Sequence, residues 1–281
     1  MKRRLKDSLA YSFAFVTGLG TVFSLFGISL AEILSFKNES ICIAFLYRLL
    51  IVLPIYGAIA LLALKMINDK ITKGINISVG GNSVTIKSAD IFKENALRVI
   101  PVETHFQTTI DDKIISKNSL HGKLVQQHAD PEILKQAIKK EAKRLGINLG
   151  RDKLYSFKLG TAIRCDGKDG EYIMVALIEL DENYEAHTNT RLFLDTLTQI
   201  WKEINRVYNG HDIALPIFGS GITRFDDEHY STEEKLICML HMLKKSKVHF
   251  RSKISILLFS EDADKILLSL HDNKELFNYL R

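Results

Sequence analysis

The sequence predicts an α/β domain that follows an N-terminal hairpin of two membrane-spanning helices. Two long apolar stretches occupy the first 64 residues, and short apolar strands alternate with amphipathic helices over the rest of the chain. Strands that alternate with helices favour a mixed, mostly parallel sheet covered by helices on both faces. We therefore expect two parts, a helical hairpin at residues 1–73 and the α/β domain at residues 74–281.

The first apolar stretch, residues 8–31, contains 24 residues without a charge. As a helix it would be about 36 Å long, which exceeds a hydrocarbon core of about 30 Å. A signal peptide is the alternative, but its apolar core is shorter and no second span follows it at once. Here a second apolar stretch, residues 41–64, follows and is interrupted only by Arg48 and Pro54. Arg48 either snorkels to the outer interface or lines a pore or an oligomer contact.

Flanking charges predict the orientation of the two spans. Positive residues lie outside both stretches, at Lys2, Arg3, Arg4, Lys6, Lys65, Lys70 and Lys73. The turn between the stretches has only Lys37, which Glu39 balances. The positive-inside rule then places both termini in the cytoplasm, so we expect a multi-pass membrane protein with a cytoplasmic α/β domain.

The cysteines and the charge distribution exclude several classes of site. Cys42, Cys165 and Cys238 show no CxxC spacing, which argues against a disulfide framework and a zinc site. Residues 1–73 carry nine Lys/Arg and four Asp/Glu, whereas the other 208 residues carry 29 of each sign. A neutral α/β domain lacks the basic face that nucleic-acid binding requires, so we expect no nucleic-acid partner.

Local patterns predict each element of the α/β domain in turn. We expect a β-hairpin at 77–88, a strand at 96–106, a helix at 131–146, strands at 155–165 and 171–180, a helix at 189–210, a strand at 213–218, a helix at 231–247, a strand at 253–260 and a final short helix. Apolar residues at helical spacing predict the helices. Gly146 predicts a helix end, and Ser231 with Glu234 forms a capping box.

A glycine turn follows the apolar strand IALPIF, at Gly219-Ser220-Gly221. Glycine at a strand end permits a positive φ and the close approach of another group. In an α/β sheet that group is often a phosphate held by backbone N–H donors. The alternative is a turn that only joins a strand to the next element.

Ligands of such sheets bind outside the carboxyl ends of the strands. Candidate ligand-binding residues lie at three strand ends and in the segments that follow them. They are Glu103, Thr104, His105, Ser119, His121, Gly219, Ser220, Gly221, Ile222 and Phe259. We therefore expect one cleft with a glycine cradle, hydroxyl groups, a histidine and an aromatic ring.

Two of these segments resemble the macro-domain family. SADIFKENALRVIPVETHF, residues 88–106, is similar to the opening of a macro domain, and IALPIFGSGI, residues 213–222, is similar to its second phosphate loop. The resemblance covers about residues 75–281. It implies a three-layer α/β/α sandwich with a mixed sheet, whose cleft binds ADP-ribose or a relative.

The resemblance also implies residue roles. Asp90 matches the aspartate that accepts a hydrogen bond from the adenine amino group, and Ile91 would lie beside the adenine. Gly219, Ser220, Gly221 and Ile222 match the loop around the diphosphate, and Phe259 matches an aromatic near the adenine or ribose. The alternatives are a turn-capping aspartate and a core phenylalanine.

The chain departs from the family pattern at both loops. The segment around Glu103, Thr104 and His105 replaces an Asn-rich loop, and Thr223 and Arg224 replace an aromatic and a third glycine. We therefore expect binding without catalytic residues, cofactor or metal. His105, His121 and Arg224 are the candidates for extra contacts to a modified ADP-ribose, with a loop-capping histidine and a surface arginine as the alternatives. Glu103, Thr104 and Ser119 are further candidates for the ligand-binding site.

The hairpin and the atypical macro domain together resemble the membrane-anchored effector of Thoeris-type antiphage systems. That resemblance implies a TIR-domain partner enzyme that makes an ADP-ribose-derived signal from NAD, here a histidine-linked ADP-ribose. It further implies homo-oligomerisation, membrane disruption and abortive infection. One alternative is a membrane-anchored ADP-ribosyl hydrolase with Glu103, His105, Asp111 or Asp112 as general base. Another is a passive tether that binds no nucleotide tightly.

Overall fold

The computed structural model describes residues 9–10, 12–18, 41–110, 115–150, 153–221, 224–259, 263–272, 277 and 279–280, without the side chains of 41–49 and 51–52. The chain forms two compact units, Met1–Lys73 and Gly74–Arg281.

The first unit is helical where it is described. Residues 9–10 and 12–18 are helical, and helix α1 spans Ile41–Lys73 with Pro54 inside it. Within the described residues, no helix combines the length and the apolar content that crossing a bilayer requires. Most of the first apolar stretch lies outside the described residues. The two spans therefore stay predictions.

The second unit is built on a seven-stranded sheet in the order β1-β2-β9-β7-β3-β5-β4. Its strands are β1 Ile75–Val79, β2 Asn82–Ser88, β3 Leu97–Glu103, β4 Ala162–Gly167, β5 Gly170–Ile178, β7 Ile213–Pro216 and β9 Ile254–Leu258. The five central strands, β2, β9, β7, β3 and β5, run parallel. At the two edges, β1 pairs antiparallel with β2, and β4 pairs antiparallel with β5. This confirms the predicted mixed, mostly parallel sheet.

Helices and turns surround the sheet. They are a 3₁₀ turn Ile91–Lys93, helix α2 Leu120–Lys123 continued by a π turn Leu124–His128, α3 Pro131–Leu145, α4 Thr190–Val207, α5 Thr232–Ser246 and α6 Ala263–Asp272. Tyr172, Met174 and Ala176 of β5 belong to one core cluster with α3 residues. The alternate β5 residues Ile173 and Val175 are also fully buried, and they point to the opposite face because side chains alternate along a strand.

Sequence patterns predicted the seven strands of the main sheet and the four longest of these helices, but not the 3₁₀ turn Ile91–Lys93 or helix α2 with its π turn. The strand expected at 155–165 begins only at Ala162, because Gly160, with φ +86°, and Thr161 close a turn before it. A second, two-stranded sheet was not predicted. It pairs β6 His187–Thr188 with β8 Arg224–Phe225.

Candidate ligand-binding cleft

A cleft of about 480 Å³ opens above the carboxyl ends of the parallel strands. This volume lies within the range of about 300–1,000 Å³ that is usual for ligand pockets. The described residues that line it are mostly apolar, and they include seven of the predicted site residues: Glu103, Ser119, His121, Gly219, Ser220, Gly221 and Phe259. The sheet order places the β9 end at one side, the β7 glycine turn in the middle, and the β3 and β5 ends at the other side.

The glycine turn is open towards the cleft. Gly219 has φ +72°, and an added Cβ would meet Phe193 at 3.4 Å and Phe225 at 3.7 Å. A Cβ added at Gly221 would meet nothing within 4 Å. Ser220 donates its hydroxyl proton to the Ile217 carbonyl at 2.7 Å, which stabilises the bend. Ile222, the last residue of the predicted phosphate loop, lies outside the described residues.

A small recess of about 20 Å³ holds Asp90 and Ile91 at the β9 side of the cleft. It shares lining residues with the cleft, among them Leu120 and Phe259. Asp90 Oδ1 accepts a hydrogen bond from the Phe92 amide at 3.1 Å, so the capping alternative holds for one oxygen of this carboxylate. Phe259 is 70% exposed and is therefore not a core phenylalanine.

At the β3 end, the Glu103 carboxylate organises the loop that follows the strand. It is buried, and its oxygens accept hydrogen bonds from the amides of His105 at 2.5 Å and Gln107 at 2.6 Å. The His105 ring lies 3.2 Å from the same carboxylate and does not line the cleft. Thr104 is buried, and its hydroxyl has no partner among the described residues.

Ser119 and His121 belong to the turn that begins α2. Ser119 Oγ accepts from the Gly122 amide at 2.9 Å and donates to the Ser116 carbonyl at 2.7 Å. A Cβ at Gly122 would come within 2.2 Å of that carbonyl, so this close approach requires glycine. Burial lowers the pKa of His121 to about 4, although a hydrogen bond to the Gln107 backbone opposes the shift. The imidazole is therefore neutral at pH 7.

Positive charge lies beside the cleft rather than inside it. Among the described residues that line the cleft, none is Lys or Arg. Arg224 instead lines a neighbouring hollow of about 570 Å³ that shares Ser220 and Gly221 with the cleft. The Arg224 guanidinium is exposed and contacts the Glu185 carboxylate at 2.5 Å. Its predicted contact with a ligand in the cleft stays a prediction.

Several lining residues were missed in the sequence. They lie at the end of β5 and before α2, at Leu177, Ile178, Leu180, Tyr184, Ile115, Ser116 and Asn118. The β5 end joins the cleft because β5 pairs with β3 in parallel, which brings both carboxyl ends to one edge. An apolar strand carries no signal of which neighbour it pairs with. Tyr184 adopts a positive φ of +62° in the turn that follows β5.

One group of described residues has the geometry of a metal site. Ligand atoms of Asp181, Glu185 and His187 lie within 4.8 Å of one another. Their local partners account for this arrangement, because Asp181 accepts two backbone amides, Glu185 pairs with Arg224, and His187 contacts Asp226 at 2.7 Å. The group does not line the cleft.

Comparisons with known proteins agree with this architecture. Residues 84–258 match the family described as Thoeris protein ThsA, Macro domain. Thoeris protein ThsA of Bacillus amyloliquefaciens (strain Y2) is 31% identical over 233 residues, which cover 78% of this chain and 77% of that protein.

Two solved structures of an Oceanobacillus iheyensis macrodomain, a variant with ADPR and a form with ADP, each have a TM-score of 0.50 and 15% identity. They cover 72% and 73% of this chain, which spans 98% and 97% of theirs. At this identity the likeness concerns the fold, which is the α/β macro-domain fold with a mixed sheet. From the match to its family and the similarity to a curated member, the chain belongs to the Thoeris protein ThsA macro-domain family.

Proposed function

We propose that the α/β unit binds an ADP-ribose-derived nucleotide in the cleft and acts as the sensor of a Thoeris defence system. The open glycine turn carries this proposal, because its backbone lies against the middle of a cleft whose described lining has no Lys or Arg. Backbone N–H groups at such a turn can hold a diphosphate. The ADPR and ADP of the two macrodomain structures are ligands of the same class.

The order of groups along the sheet edge supports one direction for the ligand. Asp90 and Phe259 flank the recess at the β9 side, where a carboxylate can accept from an adenine amino group. The glycine turn comes next, at the place of the diphosphate. The β3 and β5 ends then receive the second ribose and whatever is attached to it. An amino-acid conjugate such as histidine-linked ADP-ribose would extend beyond that point.

The signalling steps extend the same proposal. A TIR-domain partner supplies the nucleotide, ligand binding favours an assembled state of several chains, and the N-terminal helices disrupt the inner membrane. A ligand shifts such an equilibrium only by its difference in affinity for the two states. The apolar stretches at residues 8–31 and 41–64 and the basic residues around them support a membrane role.

Binding is favoured over hydrolysis at this site. Glu103, the lining carboxylate that could act as general base, already accepts two backbone amides and holds the loop after β3. His105 contacts Glu103 rather than the cleft, and Asp111 and Asp112 lie outside the described residues. We therefore propose a binding protein without catalytic residues or cofactor.

Isothermal titration of the full chain in mild detergent with ADP-ribose and with its histidine conjugate tests the proposal. We expect saturable, equimolar binding of at least one of them, and its loss or strong weakening in Asp90→Ala. Chromatography of the ligand after long incubation should return it intact. Absence of binding would refute the sensor, and cleavage of the ligand would favour the hydrolase.

A further inference from the structure

The imidazole of His121 is an unusual group in the cleft. It lines the cleft, its residue is only 7% exposed, and its Nε2 atom has no hydrogen-bond partner in the part of the chain that the structure describes. Among the described residues, only Thr104 Oγ1 shares this condition, and Thr104 does not line the cleft. An unpaired buried polar atom costs about 1–3 kcal/mol, so its retention at a cleft requires an explanation.

The hydrogen bonds of His121 define what Nε2 offers. The ring bonds to the backbone of Gln107, and since Nε2 is unpaired, that bond uses Nδ1. The bond favours the protonated nitrogen, so Nδ1 carries the proton and donates to the carbonyl. Nε2 of the neutral ring is then an acceptor, and the group that completes it has to be a donor.

The surroundings of His121 select a neutral donor. The described residues that line the cleft include no Lys or Arg, and the carboxylate at this end is Glu103. The Ser119 hydroxyl already donates to Ser116. The donors among the described lining residues, such as Asn118 and Tyr184, are neutral, and Glu103 adds negative charge. This end of the cleft therefore disfavours a phosphate or carboxylate, whereas sugar hydroxyls supply donors for Nε2 without charge.

The position of His121 identifies which sugar is meant. Helix α2 packs against β3, and His121 lines the cleft but not the recess that holds Asp90. Its neighbour Leu120 reaches the recess, but β3 lies on the other side of the β7 glycine turn from β9 in the sheet order, which puts the imidazole on the second-ribose side of the proposed ligand. We infer that His121 Nε2 accepts a hydrogen bond from a hydroxyl of the ribose beyond the diphosphate. This inference rests on the proposed function and makes His121 a specificity residue for the terminal ribose.

The contact requires a small rearrangement. Nε2 is buried, so a neighbouring group has to move aside as the ribose enters. A ligand that lacks this ribose gains nothing from the atom. ADP and ADP-ribose therefore form a matched pair of probes, because they share the adenosine and the diphosphate.

Two substitutions separate the two nitrogens of the ring. His121→Asn places an amide near Nδ1, which keeps a donor for Gln107 and removes Nε2. His121→Gln places a polar atom near Nε2 instead. The full chain in detergent is titrated with ADP and with ADP-ribose, and the melting temperature of each variant is measured without ligand.

We expect His121→Asn to weaken the affinity for ADP-ribose about tenfold, which is the effect of one lost hydrogen bond, and to leave the affinity for ADP unchanged. His121→Gln should recover part of the ADP-ribose affinity. Equal weakening of both ligands, or of neither, would overturn the inference while the proposed function stands. Failure of the wild-type chain to bind either nucleotide would overturn both. If His121→Asn does not fold, the ratio of the two affinities in His121→Gln against His121→Leu gives the same decision.

Discussion

At the scale of single residues, the glycine turn distinguishes a backbone requirement from a ligand requirement. Gly219 needs glycine for the fold, since its φ is +72° and Phe193 lies 3.4 Å from an added Cβ. Gly221 has open space and no left-handed φ, so the fold does not need glycine there. Its small size matters only if something else approaches the backbone from the cleft.

Replacing Gly221 by Leu should therefore weaken the affinity for ADP-ribose at least tenfold, because the side chain would occupy the space beside the diphosphate. Its free energy of unfolding should change by less than about 0.5 kcal/mol, as for an exposed site. Calorimetry and urea unfolding measure the two effects. Gly219→Ala is the contrast, with a loss of about 1–3 kcal/mol from backbone strain. Unchanged affinity in Gly221→Leu would show that the ligand does not bind at this turn.

The neutral state of His121 predicts how stability depends on pH. Its pKa is about 4 in the fold against 6.5 as the ordinary value, so in this pH interval only the unfolded chain binds the proton. Stability is therefore lost as the pH falls from 6.5 towards 4. Between pH 7 and pH 5 the wild-type chain should lose about 2 kcal/mol more than His121→Asn.

Urea unfolding of both proteins at the two pH values measures this difference, and the other titrating groups cancel in the comparison. A wild-type chain that loses no more stability than His121→Asn would mean that the ring is accessible to protons, contrary to its burial.

At the scale of elements, Asn82 connects the first hairpin to the loop before β9. Its buried amide donates to the carbonyls of Val79 and Val248, both at 3.0 Å, and accepts from the Phe250 amide at 2.8 Å. The sequence marked this position only as a turn residue between two strands. The long-range bonds were invisible because they join positions 166 and 168 residues apart.

Asn82→Ala should destabilise the α/β unit by about 3 kcal/mol, because it removes three hydrogen bonds to backbone groups, two of them buried and one partly buried. Asn82 begins β2 at the amino end of the parallel strands, whereas the cleft lies at their carboxyl ends. The affinity for ADP-ribose should therefore not change at temperatures where the variant is folded. Urea unfolding measures the loss, with the exposed Asn76→Ala of β1 as the matched control. A loss below about 1 kcal/mol in Asn82→Ala would show that water replaces these bonds.

The predictability of the fold follows from how local each signal is. Helices α4 and α5 were predicted because their apolar spacing, and in α5 also the Ser231 cap, are signals carried by residues close in sequence. Strands β6 and β8 have two residues each, too few for a period. Strand order was also hidden, so the β5 end of the cleft could not be assigned. In the candidate site, Glu103 was expected at the ligand, but its carboxylate mainly holds its own loop.

At the scale of the whole molecule, charge and hydropathy divide the chain in the same place as its compact units. The net charge of +5 belongs to residues 1–73, together with both apolar stretches, and the neutral remainder forms the unit with the cleft. This division is the reason to propose that a nucleotide sensor and a membrane-active segment lie in separate units. Ligand binding in one unit then has to change the behaviour of the other.

Liposomes that contain the full chain and a trapped dye measure this coupling. Dye release should rise when ADP-ribose or its histidine conjugate is added, because binding favours the assembled state. Gly221→Leu should show no rise at the same concentrations, which separates ligand-driven leakage from damage caused by insertion alone. Nucleotide binding measured by calorimetry, without any dye release, would support the proposed sensor role and refute the proposed membrane effector role.

The structure of the full chain in complex with ADP-ribose tests the central claim most directly, because it locates the ligand against named atoms. We expect the diphosphate within hydrogen-bond distance of the backbone amides of the Gly219–Gly221 turn, the adenine beside Asp90, and the second ribose beside His121. A ligand bound elsewhere, or a diphosphate held by side chains away from this turn, would contradict the claim.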